Sequence, residues 1–474
     1  VKKFDLNIEK ILENWDIKHA IREIIANAID EQLLSKTDNI QIFKTNDNTW
    51  HIKDYGRGLR YEHFTQKEND EKLLTDGIIG KFGIGLKDAL ATFERKNVTV
   101  KILSKCGDIT LGKAQKSGFD DLTTLHAYIS EPSNPNLQGT EFLLSNLSDT
   151  DIEQAKQLFL KFNNETVIEQ TKYGQVLSKT RNQGNIYING VLVATEDNFL
   201  FSYNITLLNS AIKKAINRER TNVGRTAYAA TVKNILLECQ TREVADILTN
   251  DLRQFSLGIT HDELKWLDVQ QHAASTLNKF QKVVFVTAEE IEKGTDLVEE
   301  ARKGDFQVVA IPSNLRDKLI EQNKIELEKQ VENPEKPIEI IRTFNQFVQE
   351  RNENFEFKFI SNSELNSNEQ NTWSKKDKVL SIIGGKPWNV NEILISETMQ
   401  KDDFTFRPAD GLWQSSEKRV IIKRTVLESE QRFISILLHE LAHAISGATD
   451  ATRSFETELT RLLGVVGIKA LSNL

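Results

Sequence analysis

Arg22-Glu23-Ile24-Ile25-Ala26-Asn27-Ala28-Ile29-Asp30-Glu31 sets three hydrogen-bonding side chains on one stripe of an otherwise apolar helix. Glu23, Asn27 and Asp30 stand at i, i+4 and i+7 and so share a face. Ile17, Ile21, Ile24, Ile25, Ala28 and Ile29 cover much of the remaining wheel, which anchors the helix in a core and aims the polar stripe elsewhere. The same stripe also suits a plain solvated face, so its meaning depends on the residues downstream.

Working outward, residues 39–44 and 49–53 alternate like two short strands around Asn46-Asp47-Asn48. The second ends in Asp54-Tyr55-Gly56-Arg57-Gly58. Residues 60–75 are charge-rich without an apolar period and read as a loop or lid. They lead into Gly77-Ile78-Ile79-Gly80-Lys81-Phe82-Gly83-Ile84-Gly85-Leu86-Lys87, glycines entering a helix. Strands follow at 98–104, 122–129 and 139–144. Runs of strands with helices to one side predict an α+β sandwich rather than a doubly wound parallel sheet. The pattern restarts near 165, with a strand pair around Asn189-Gly190, one long helix over 226–248 and a βαβ unit from 283–286 to 307–311. Asn333-Pro334-Glu335-Lys336-Pro337 is the clearest linker.

A chain of 474 residues exceeds one ordinary core, and about three domains are expected. No apolar run approaches the roughly 18 residues of a membrane span, and the N-terminus lacks a signal-peptide pattern, so the expectation is a soluble, cytoplasmic protein. Two cysteines, Cys106 and Cys239, exclude a disulfide framework or a thiolate zinc cluster; any zinc must be held by histidine and carboxylate. A net charge of -8 argues against a broad nucleic-acid-coating surface.

Glycines before a helix N-terminus let backbone N–H groups approach a phosphate. Here they come third in an ordered set: the Glu-x-x-x-Asn-x-x-Asp helix, Asp-x-Gly-x-Gly after a strand, Gly-x-x-Gly-x-Gly opening a helix, and Gly139-Thr140 on a strand. That set, over roughly residues 5–160, resembles the GHKL ATPases, the superfamily of type II topoisomerases, heat-shock chaperones, histidine kinases and mismatch-repair proteins, and is most similar to its MORC and heat-shock branches. The resemblance implies that ATP and Mg²⁺ are cofactors. Asn27 would help coordinate Mg²⁺, Asp54 would accept from the adenine amino group, and Gly56 and Gly58 would let the chain turn beneath the base. Gly80, Gly83, Gly85 and Lys87 would hold the phosphates, and Thr140 would support the adenine pocket. Glu23 would be the general base that polarises the attacking water. Asn217-Arg218-Glu219-Arg220-Thr221 resembles the heat-shock loop that returns a basic side chain to the γ-phosphate, with Arg220 the first choice and Arg218 the second.

His439-Glu440-Leu441-Ala442-His443 lies in a helical run over 429–446 closed by Gly447. Histidines at i and i+4 can share one zinc ion, and the adjacent glutamate can deprotonate a zinc-bound water. This resembles the active helix of zincin metallopeptidases, and the preceding residues 419–426 resemble the edge strand on which zincins lay substrate. The metzincin spacing puts a ligand at Thr449, so that pattern fails by one residue. Glu456 is expected as the third ligand, with Asp450 and then Glu458 behind it.

The expected architecture is therefore multidomain α+β: a GHKL ATP-binding sandwich over 1–164, a transducer-like domain over 165–258, a small α/β segment over 259–332 and a zincin-like domain over 333–474. The expected activity is a Mg²⁺-dependent ATPase controlling a zinc peptidase that acts on a protein or peptide, with a nucleotide-dependent homodimer. The competing readings are an ATP-driven clamp or chaperone whose zincin domain only binds its client, and a MORC-like nucleic-acid clamp.

Overall fold

The computed structural model describes residues 1–6, 15–64, 71–72, 75, 77–80, 85–116, 118–180, 182–216, 223–254, 260–332, 339–403 and 405–472. The expected linker at 333–337 lies outside them. Two compact units are present, Val1–Gln254 with Gly258–Thr276, and Leu277–Leu474. The architecture is mixed α+β, with several helices and sheets.

The first unit begins with β1 (Lys2–Asp5), α1 (Ile17–Ser35), β2 (Gln41–Lys44), β3 (Trp50–Lys53), α2 (Gly85–Arg95), β4 (Thr99–Ser104), β5 (Asp108–Lys116), β6 (Phe119–Ser130), β7 (Thr140–Ser145) and α3 (Asp149–Lys156). Its strands form one sheet in the order β1-β6-β5-β4-β7-β3-β2, antiparallel at every pairing. Alternate residues of β4 and β7 are buried, as a sheet with one covered face requires. That face meets Ile21, Ile24, Ile25 and Ala28 of α1, Leu90 and Phe93 of α2, and Ile152 of α3. Truncating any of the larger of these to alanine costs about 2–5 kcal/mol.

A second sheet follows, from β8 (Val167–Gln170), β9 (Gly174–Leu177), β10 (Gly184–Ile188), β11 (Val191–Glu196) and β12 (Ser202–Ile205), in the order β11-β10-β12-β9-β8. Asn189 and Gly190 both take positive φ, 48° and 78°, in the turn between β10 and β11. The helices α4 (Ser210–Ala215), α5 (Arg225–Glu238), α6 (Arg242–Leu252) and α7 (Leu267–Phe280) come next. The single helix expected over 226–248 is thus two. Glu169 of β8 causes the break: its carboxylate accepts from the Gln240 and Thr241 N–H groups at 2.6 and 3.1 Å and from the Thr241 hydroxyl at 2.6 Å. Residues 260–276 pack with this unit, so the segment expected over 259–332 is divided. Fully buried Glu263 ties them down, accepting from the Leu200 and Phe201 N–H groups and the Tyr203 hydroxyl.

In the second unit β13 (Val283–Val286), α8 (Ala288–Lys293), α9 (Thr295–Lys303) and β14 (Gln307–Ala310) make a parallel βαβ pair. After α10 (Ser313–Glu332) and α11 (Phe344–Glu353) come β15 (Phe359–Ile360), α12 (Ser367–Ile383), β16 (Glu392–Ser396), β17 (Gly411–Gln414), β18 (Arg419–Lys423), α13 (Glu430–Ser446) and α14 (Arg453–Leu471). The sheet order is β15-β16-β18-β17, packed on Phe433, Leu437, Leu438 and Leu441 of α13. The strand expected over 419–426 stops at Lys423 and is internal, paired on both sides; the edge strand beside α13 is β17. Among the described residues no helix is long and apolar enough to cross a membrane.

Candidate functional site

Helix α1 turns its polar stripe toward the glycine segment. Asp30, 1% exposed, accepts from the Ile79 and Gly80 N–H groups at 2.6 and 2.7 Å. A Cβ on Gly80 would come within 2.8 Å of Asp30 Oδ2 and 3.3 Å of Asn27 Oδ1, and one on Gly85 within 2.2 Å of Glu23 Oε2. A side chain at either place would push the carboxylates of the α1 stripe from their positions, and glycine leaves them undisturbed. Buried Glu23 is gripped at Oε1 by Arg22, whose Nε and Nη2 lie at 3.2 and 3.0 Å. Arg22 is itself buried, with its guanidinium 5.3 Å from the Trp15 ring centroid.

Asp54 directly follows β3, where its N–H donates to the Thr140 carbonyl and its Oδ1 accepts from the Gly56 and Thr140 N–H groups at 2.8 and 3.3 Å. Gly139, at φ 79°, brings β7 so close that a Cβ there would meet the Asp54 carbonyl oxygen at 2.0 Å. Burial pushes the Asp54 carboxyl up to about 6; the Gly56 N–H works against this and the Glu31 charge works with it. Burial opposes the charge on Glu31 too, but hydrogen bonds from Arg57 and Ser35 outweigh it and hold that carboxyl at about 2. Gly58 has φ 88° and sits 3.0 Å from the Ser104 hydroxyl at its virtual Cβ, so the turn after Asp54 also needs glycine.

Lys87, in the first turn of α2, is 6% exposed and has no hydrogen-bond or ion-pair partner among the described residues; burial pushes its ammonium down, against the pull of Asp88 and Asp5. A buried ammonium beside helix N–H groups can take an anion. Gly83, Arg218 and Arg220 lie outside the described residues.

On α13, His439 Nε2 and His443 Nε2 are 3.2 Å apart, and Asp450 Oδ1 lies 3.2 and 3.3 Å from them. Two ligands about 2.0–2.1 Å from a tetrahedral ion are roughly 3.3–3.4 Å apart, so these three atoms match one face of such a tetrahedron. They are the group among the described residues with the spacing to hold a metal. The Ala448 carbonyl lies 2.8 Å from His443 Nδ1, which directs Nε2 to the cluster. Burial pushes the His439 imidazole down, toward the neutral ligand form, with Asp450 opposing. Glu440 is 6% exposed, and burial pushes it up to about 8, opposed by the Trp413 N–H of β17. A Cβ on Gly411 would lie 2.7 Å from Glu440 Oε1, so the edge strand presses its bare backbone on that carboxylate.

The cluster uses Asp450, second choice in the sequence, and not Glu456. Phe455 explains why. Its ring stacks on His443 at 4.2 Å and 20°, and successive helix residues do not share a face, so Glu456 beside it is turned to solvent. Glu458 is paired with Arg461 at 2.6 Å. The sequence alone does not single out Arg22, the Glu31–Arg57 pair or Lys72. Only Arg57 carries a signal, as the charged residue inside Gly56-Arg57-Gly58.

A family model described as the Mycoplasma pneumoniae MPN635 N-terminal domain matches residues 150–242. An uncharacterized protein of Mycoplasma pneumoniae (strain ATCC 29342 / M129 / Subtype 1) is 40% identical over 241 residues, 50% of this chain and 97% of that protein. A second uncharacterized protein of the same organism is 24% identical over 341 residues, 68% of this chain and 93% of its own length.

Proposed function

The chain belongs to the family of its 40%-identical Mycoplasma pneumoniae relative, and from its own residues we propose that it is a GHKL-type ATPase whose nucleotide state controls a zincin-type zinc peptidase acting on a protein or peptide. The observation that carries the reading is the triangle of His439 Nε2, His443 Nε2 and Asp450 Oδ1, with sides of 3.2, 3.2 and 3.3 Å, beside a buried glutamate. Zinc held there would supply an acidified water and a polarised carbonyl. His439, His443, which is fixed through the Ala448 carbonyl, and Asp450 would hold the ion. Glu440 would take and return the proton, and β17 would keep its carboxylate in place through the Trp413 N–H.

The ATPase half of the reading is supported by the convergence of Glu23, Asn27 and Asp30 on Gly80 and Gly85, by buried Lys87, which has no partner among the described residues, and by Asp54, whose side-chain hydrogen bonds from Gly56 and Thr140 both end on Oδ1. Asp54 and Thr140 would hold adenine, Asn27 would hold Mg²⁺, and Gly80, Gly85 and Lys87 would hold phosphates. Glu23, gripped by Arg22, would orient and deprotonate water. A zinc-loaded sample assayed on a denatured-protein substrate with and without a non-hydrolysable ATP analogue tests the whole. Zinc-dependent cleavage that changes several-fold with the analogue is expected, together with dimers by light scattering that ADP does not support. Cleavage indifferent to nucleotide breaks the coupling, and no cleavage at full zinc occupancy leaves a client-binding clamp.

A further inference from the structure

We propose that the Lys72 ammonium occupies the cation position of the nucleotide site and stands in for the divalent ion there, so that the site accepts a nucleotide without metal. The inference rests on the nucleotide reading above. Asp30 is a carboxylate 1% exposed whose partners at the glycine segment, the Ile79 and Gly80 N–H groups, are neutral donors. A buried charge needs an opposite charge. Lys72 supplies it, with Nζ 3.3 Å from Asp30 Oδ2 and 3.4 Å from Asn27 Oδ1. Gly80 closes over the same point: a Cβ there would lie 2.8 Å from Asp30 Oδ2, 3.3 Å from Asn27 Oδ1 and 3.6 Å from Lys72 Nζ. Asn27, an oxygen ligand suited to a hard cation, therefore already faces a positive charge, held by contacts longer than an ordinary N–H···O bond. A polyphosphate arriving with Mg²⁺ displaces the ammonium from Asn27, whereas one arriving without metal finds its charge met by Lys72.

The test is calorimetric titration of the full chain with ADP, once with excess EDTA and once with excess Mg²⁺. Wild type is expected to bind in both. Lys72→Met is expected to lose about 10- to 100-fold in EDTA, the worth of one charge-assisted hydrogen bond, and much less in Mg²⁺. Lys72→Arg keeps the charge and is expected to keep metal-free binding. Thermal melts show whether Lys72→Met folds; if it does not, the wild-type and Lys72→Arg titrations in EDTA still decide. Equal losses in both buffers would make Lys72 an ordinary phosphate contact and overturn the proposal, as would a wild type that binds only with Mg²⁺. Wild type that fails to bind ADP even with Mg²⁺ overturns the nucleotide reading itself.

Discussion

The His439–His443–Asp450 triangle draws its three atoms from residues 439–450, one helix and the turn that ends it, whereas the cluster around α1 gathers Glu23, Asn27, Asp30, Asp54, Gly80, Gly85, Lys87 and Thr140 from stretches more than a hundred residues apart. In the first, helical periodicity alone places two side chains on one face. In the second, the sheet does the placing: β3 and β7 pair so that Asp54 meets Thr140, and the bare backbone at Gly139, Gly80 and Gly85 lets distant segments touch. A local site should therefore fail through its ligands, and an assembled site through its close approaches.

The largest effect should follow from removing ligands. His443→Ala and Asp450→Ala should leave little zinc by metal analysis and no peptide cleavage, while Glu456→Ala should keep both. Glu440→Gln should retain the metal and lose about 10²–10⁴-fold in turnover. Zinc retained by Asp450→Ala would move the third ligand elsewhere and undo the tetrahedral match.

On the assembled side, Glu23→Ala should reduce ATP turnover by about 10²–10⁴-fold while leaving nucleotide affinity within a few-fold, because the base acts in the transition state. Turnover that survives the change would remove Glu23 from the chemistry.

A pair of glycines sharpens the contrast at a smaller scale. Gly139 and Gly447 both have positive φ, 79° and 62°, but a Cβ on Gly139 meets the Asp54 carbonyl oxygen at 2.0 Å while one on Gly447 meets nothing within 4 Å. Gly447→Ala should cost about 1 kcal/mol by urea denaturation, the helix-end strain alone, and Gly139→Ala about 2–3 kcal/mol together with nucleotide binding. Equal costs would mean that the close approach contributes nothing.

These differences also explain how much of the molecule is legible in its sequence. The α1 stripe, the β2–β3 hairpin, the Asn189-Gly190 turn and the two histidines all follow from local period or turn chemistry, and the structure has them where the sequence puts them. The two-helix break at Gln240-Thr241 depends on Glu169, some seventy residues earlier, so the helical period across 226–248 carries no sign of it. The internal position of β18 depends on the partners that flank it, which its own alternation does not specify. Asp450 ranks second to Glu456 in the sequence because which carboxylate meets the histidines depends on a turn with Ala451 at φ 60° and on Phe455 occupying the face toward them.

An effect of similar size lies in the protonation of Asp54, and it tests the assembled cluster by pH. Burial raises that carboxyl to about 6. With Oδ1 already accepting from the Gly56 and Thr140 N–H groups, Oδ2 is left for the amino group, and it accepts freely only in the charged form, because protonation there makes it a donor. Binding therefore draws on the ionised fraction: affinity is complete above the raised value and lost as pH falls through it, the reverse of a group that must be protonated to bind. Between pH 7 and pH 5 the ionised fraction of a group at 6 falls about tenfold, and the dissociation constant should rise by the same factor, roughly 1.4 kcal/mol. Adenosine is the right probe, since it has no phosphate to titrate in that range. A dissociation constant flat from pH 7 to pH 5, in protein that stays folded by circular dichroism, would show that Asp54 is not the group that meets the adenine amine, and the assembled site would lose the residue around which β3 and β7 close.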